Sequence, residues 1–135
     1  MANFNPKLVV FACENSGMKA AEEAEKLKLT VPEKLTIVSL PCGGRLDTAH
    51  ILKALERGAD GVVVLVCHID NCRYLHGNER TVKRVDELKR LLDAAGIDPN
   101  RLTLSHIAAV EPAKFVEILN SACEKISDEG RIVNY

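Results

Sequence analysis

The chain has 135 residues, enough for one domain that buries roughly two-thirds of its unfolded surface without help from disulfides. Its 18 basic and 19 acidic residues balance, so charge calls for neither nucleic acid nor a membrane surface as partner. No apolar run reaches the roughly 18–20 residues of a transmembrane helix, and residues 1–7 lack the basic and apolar regions of a signal peptide.

Strand and helix alternate four times along the chain. A continuous apolar run over 8–12 predicts a first strand with both faces covered. A helix follows from Asn15 or Ser16 to about Lys28, with Met18, Ala21, Ala24 and Leu27 on one stripe. Residues 35–40 are β-branched and apolar, a second strand. The helix after Asp47 carries Ile51, Leu52 and Leu55 inward and stops at Gly58. Residues 61–66 form the most apolar segment, hence a central strand. A third helix starts near Asn78, turns Val82, Val85, Leu88 and Leu92 inward, and ends at Gly96. The strand over 102–108 alternates more, which suits an edge. Pro112 opens a fourth helix whose stripe is Phe115, Leu119, Ala122 and Ile126. Residues 127–135 read as a short tail.

Short strand–helix connections imply right-handed crossovers and a parallel sheet with helices on both faces. The expected fold is α/β: one domain over residues 1–135, a three-layer sandwich with a four-stranded parallel sheet in flavodoxin-like order 2-1-3-4. In an open parallel sheet the strand C-termini open onto one edge, where ligand sites form. Three strands run into a cysteine there: Cys13, Cys42 and Cys67, with Cys72 in the loop that follows. Strands one, two and three are neighbours in this order, so the cysteines would converge.

A chain of this kind is expected in the cytoplasm, where five cysteines point to metal binding or catalysis before structural disulfides. Four are the usual complement of an iron–sulfur cluster or a structural zinc site. Each taken singly also reads as a small core hydrophobe. Zinc in small domains commonly uses paired CxxC knuckles. Here Cys67 and Cys72 are separated by four residues, as in plant-type ferredoxins, which favours 2Fe–2S. A dithiol pair of Cys67 and Cys72 is the remaining redox alternative. Gly43 and Gly44 would let backbone amides approach the sulfurs, and Cys13 precedes a helix N-terminus that favours a thiolate. His68 reads as a polar neighbour of the centre rather than a ligand, with His76 similar. His50 and His106 read as surface or edge residues, and Cys123 on helix four as structural.

The segments 11–16, 41–47, 58–62 and 67–74, with Gly77–Asn78 behind them, resemble the delta subunit of methyl-viologen-reducing hydrogenase. The resemblance covers about residues 7–126, and its most specific part is Cys67–His68, then Cys72, Tyr74 and Gly77–Asn78. It implies a 2Fe–2S cluster held by Cys13, Cys42, Cys67 and Cys72. It also implies electron transfer between a hydrogenase or dehydrogenase and a heterodisulfide reductase A-like flavoprotein, with no substrate chemistry of the chain's own. The chain departs from many members at the first motif, where Ala12 and Ser16 flank a single Cys13. Two alternatives stand beside this: a metal-free or zinc-bearing scaffold module, and a thiol enzyme using Cys13. The second rests on Cys13 to Lys19, which sits on a strand-to-helix turn like the CX5R loop of low-molecular-weight phosphatases. Lysine at position 19 lacks the planar fork that such chemistry needs. Partner docking is expected at the cysteine-bearing edge through Arg45, Arg73, Tyr74, His76 and Arg80, with Lys83 and Arg84 one turn on. Lys34 and Arg101 represent the far edge.

Overall fold

Strands rich in Val and Leu and buried on both faces can pair only where helices cover each side of a sheet. The computed structural model has that layering, and describes residues 6–14, 16–32, 34–40, 48–66 and 77–129. The elements in order are β1 (Leu8–Cys13), α1 (Gly17–Lys26), β2 (Leu35–Leu40), α2 (Thr48–Glu56), β3 (Gly61–Val66), α3 (Gly77–Ala94), β4 (Leu102–His106) and α4 (Pro112–Glu129). A 3₁₀ turn, Pro99–Arg101, leads into β4. The sheet is parallel throughout, ordered β2-β1-β3-β4. The expected flavodoxin-like α/β order is the one found.

Burial follows position in the sheet. All six residues of central β3 are buried, whereas edge strands β2 and β4 are mostly half-buried or exposed. Alternate residues of the central strands serve different layers. Val10 and Ala12 of β1 and Val63 and Leu65 of β3 pack with α1 and α4, around Ala20, Ala24, Phe115 and Leu119. Phe11 of β1 and Val62, Val64 and Val66 of β3 face α2 and α3, around Ile51, Leu55, Val85 and Leu88.

Three details of the helical stripes differ from expectation. Leu27 is 56% exposed, because α1 stops at Lys26 and Lys28 turns the chain at φ 57°. Leu52 is 45% exposed, because it sits about 100° around the helix from Ile51, off the stripe that Ile51 and Leu55 make at i, i+4. Val82 is half-buried, and its neighbour Thr81 takes the inner place instead. Gly58 and Gly96, both at positive φ, end α2 and α3 as their positions in sequence suggest.

The amino-terminal edge of the sheet is pinned by a polar knot. Asp60, just before β3, accepts a hydrogen bond from the Lys7 backbone N–H at 2.9 Å through its carboxylate. Its backbone carbonyl accepts one from the Arg101 guanidinium at 2.8 Å. Both Asp60 and Arg101 are buried. The knot therefore joins the approaches to β1, β3 and β4. Arg101, expected as a surface cation at the far edge, is a structural residue, since a buried guanidinium must keep its acceptors. Arg101→Leu should lower the unfolding free energy by about 1–3 kcal/mol by leaving buried acceptors unpaired. A shift in urea midpoint at unchanged slope would register it.

Candidate metal centre

The site is built outward from the carboxyl end of β1. Cys13 pairs with Leu40, the last residue of β2. On the other side Ala12 pairs with Leu65, which leaves Cys13 level with Val66, the last residue of β3. Two-residue alternation puts Cys13 on the sheet face of Phe11 and Val66, beneath α2 and α3. Cys13 is 2% exposed. A buried thiol thus stands between two strand ends at the edge where parallel sheets bind ligands.

The turn after Cys13 is tight. The Ser16 N–H donates to the Cys13 carbonyl at 3.1 Å, and the Glu14 N–H donates to the Leu40 carbonyl at 2.7 Å. Ser16 then caps α1 by position only. Its carbonyl accepts the Ala20 N–H at 2.9 Å, but its side chain makes no capping bond. Ser16 is buried, and its Oγ has no hydrogen-bond partner among the described residues. Gly17 follows with its backbone pressed against the sheet: a Cβ there would lie 3.0 Å from the Cβ atoms of Ala12 and Leu65. Absence of a side chain at Gly17 is what lets the positive end of α1 sit so close to the carboxyl edge.

Other expected site residues divide into those described and those not. Cys42, Gly43, Gly44, Arg45, Cys67, His68, Cys72, Arg73, Tyr74 and His76 lie outside the described residues. Cys42 comes two positions after Leu40 in the chain, and Cys67 directly follows Val66. Arg80, Lys83 and Arg84 are exposed on α3. His106 is half-buried on β4, level with Val66, and His50 is exposed on α2, stacked on Phe11 with ring centroids 6.3 Å apart. Among the described residues no three His, Cys, Asp or Glu side chains gather as a metal group.

Cys123 stands apart, half-buried on α4. That helix covers the sheet face opposite Cys13. Burial pushes the Cys123 thiol up from its ordinary pKa. Lys19 of the phosphatase-like turn is exposed on α1, and Cys13 is buried. Sequence reasoning missed that Ser16 is buried with its hydroxyl unpartnered among the described residues. Its only signal was a serine at a helix start, which ordinarily means a cap.

Residues 8–130 match the family model described as methyl-viologen-reducing hydrogenase, delta subunit. The chain is 37% identical over 116 residues to the F420-non-reducing hydrogenase iron-sulfur subunit of Archaeoglobus profundus, covering 86% of this chain and 85% of the relative. It is 35% identical over 128 residues to the F420-non-reducing hydrogenase vhc iron-sulfur subunit of Methanococcus voltae, covering 95% and 89%. A third likeness, 32% identical over 127 residues, is to the A-type subunit of the ferredoxin/F(420)H(2)-dependent CoB-CoM heterodisulfide reductase of Methanosarcina acetivorans. That match spans 94% of this chain but 16% of the far longer relative. With its fold and nearly its whole length accounted for in this way, the chain belongs to the methyl-viologen-reducing hydrogenase delta-subunit family.

Proposed function

We propose that the chain is an electron-transfer subunit carrying a 2Fe–2S cluster on Cys13, Cys42, Cys67 and Cys72. It would relay electrons in the cytoplasm between a hydrogenase or dehydrogenase and a heterodisulfide reductase A-like flavoprotein. The observation that carries this reading is the burial of Cys13 between the ends of β2 and β3, from which the chain runs on to Cys42 and Cys67 within two residues and one. The names of the relatives support an iron–sulfur group, and the match within a heterodisulfide reductase of the A type supports that partner. No helix among the described residues is long and apolar enough to cross a membrane.

The residues fit such a group chemically. A cluster on four thiolates is anionic and its sulfurs accept hydrogen bonds. Three residues after Cys13 the structure holds a buried hydroxyl, Ser16 Oγ, without a hydrogen-bond partner among the described residues, at a helix N-terminus that the Ser16 side chain does not cap. A buried hydroxyl without an acceptor is costly, and an anionic sulfur relieves that cost. Cys13, Cys42, Cys67 and Cys72 would hold the group, and its chemistry would be one-electron transfer. Gly43 and Gly44 would let backbone approach it, His68 would contribute a polar neighbour, and Ser16 with the first amides of α1 would offer it hydrogen-bond donors. The sheet behind Cys13 excludes water.

Protein purified without oxygen should hold about two irons per chain and show a reducible 2Fe–2S resonance. Cys→Ser at 13, 42, 67 or 72 should strip or alter it. Cys123→Ser should leave it intact and cost about 1 kcal/mol of stability. Colourless protein that binds zinc instead of iron would overturn the cluster.

Ser16→Ala should keep the iron but move the midpoint potential to more negative values, because a donor to the cluster stabilises its reduced, more anionic state. An unchanged potential would place the hydroxyl outside the cluster's reach.

At the cysteine-bearing edge, Arg73→Glu or Arg80→Glu should slow electron transfer to the flavoprotein, most at low ionic strength, with the visible spectrum unchanged. Arg101 is buried and cannot serve as the surface control. Lys26→Glu, on the exposed end of α1, is the suitable comparison. Equal slowing by Lys26→Glu would mean that the flavoprotein docks elsewhere.

A further inference from the structure

Beside α2 the sheet is left uncovered. Ile51 and Leu55 anchor α2 over the central strands, and the neighbouring face of edge strand β2 stays open, with Thr36 and Val38 exposed. The result is a groove of about 630 Å³ between α2 and the β1–β2 pair. Its floor is apolar, with Val9, Phe11 and Val38 along it. The ionisable residues that line it are Lys7, Lys34, His50, Lys53 and Arg57, with no acid among the described lining residues. A chain of net charge −1 has no general excess of cations to explain this.

The cations are also arranged against one another. Leu8 pairs with Leu35, and the Leu8 N–H donates to the Lys34 carbonyl, so Lys7 and Lys34 come side by side just before the adjacent strands. Like charges so placed repel. Lys53 and Arg57 are four apart at the end of α2, the spacing at which like charges on a helix destabilise it. None of these four side chains has an ion-pair partner among the described residues. Asp60, just before β3, is buried and already accepts the Lys7 backbone N–H. Two repelling pairs around one open groove are relieved by an anion that enters it.

We infer that this groove docks an acidic, apolar-faced segment of a partner protein. The inference rests on the chain's being part of a larger redox assembly, as proposed above. Fold geometry favours a polypeptide over a small ligand. Nucleotides in doubly wound sheets sit at the carboxyl edge, whereas these four cations cluster at the amino-terminal end of β1 and β2. The groove also runs along the strands beside β2, an edge strand with no partner on its outer side among the described residues. Its other end, at the pair Phe11 and Val38, lies two residues below Cys13 and Leu40 on the same sheet face. A segment filling it would reach from the cations to beneath the cysteine-bearing edge. A relay has two partners, and this is a docking face separate from that edge.

The test uses the assembled complex, purified without oxygen, and a carbodiimide that joins amines directly to touching carboxylates. Mass spectrometry should find Lys34 and Lys53 linked to Asp or Glu residues in one segment of one partner protein. The variant Lys34→Glu/Lys53→Glu/Arg57→Glu should weaken that protein's binding roughly tenfold or more, with iron content and visible spectrum unchanged. The matched reversal Lys26→Glu/Arg90→Glu/Lys125→Glu should leave binding intact. Links only to a second copy of this chain, protection of the lysines by FMN or ATP, or unchanged affinity in the groove variant would each overturn the inference. An iron-free chain that still binds through these lysines would refute the cluster while upholding the docking face, so the two readings fail separately.

Discussion

The register of β1 between β2 and β3 is the constraint on which the rest depends. Parallel pairing begins at Leu8, opposite both Leu35 and Gly61, so three strands of equal length end level with one another. Their carboxyl ends therefore share one edge, and each strand's alternation is in phase with its neighbours. A slip of one residue on β1 would turn Cys13 to the opposite sheet face and move Phe11 out of its contacts with Val62 and Val64. The wholly buried β3 and the two core layers hold against that slip, since it would expose or misplace every apolar side chain of β1.

Two edges of this sheet do different work. The amino-terminal edge is closed by Asp60 and Arg101, whose hydrogen bonds tie the starts of three strands together. At the carboxyl edge the described residues include a buried thiol, Cys13, and a buried hydroxyl without a hydrogen-bond partner, Ser16 Oγ, at a helix start that the Ser16 side chain does not cap. Satisfaction at one end and want of partners at the other is what a rigid scaffold bearing a functional edge looks like. The same logic applies to the sides. α1 sits tight on the sheet through Gly17, whereas α2 leaves β2 bare and lined by cations.

Much of this is legible in the residues alone. The strands appear where the apolar runs stand, and α2 and α3 end at the glycines that the chain supplies. Cys13 terminates β1, as the convergence argument needs. The errors fall at places where periodicity is silent. Leu27 and Leu52 are apolar residues adjacent to a stripe, and hydrophobicity alone cannot say which neighbour the sheet will cover. Ser16 looks like a cap and does no capping, because the side chain's partner depends on what surrounds it in space.

The sequence by itself determined the alternation of strand and helix, the strand order and the family, because these follow from local patterns of apolarity and from motifs that stand in the chain. It also determined that β1 would end in a cysteine. Only the tertiary structure decided that Arg101 is buried against Asp60 and that Ser16 Oγ is buried without a hydrogen-bond partner among the described residues. It alone brought Lys7, Lys34, Lys53 and Arg57 to one groove. Periodicity states which face of an element turns inward, but not how far a helix lies across the sheet. That lateral placement comes from packing side chains of particular shapes, and it decides which surface, which charge and which hydroxyl is left without a partner.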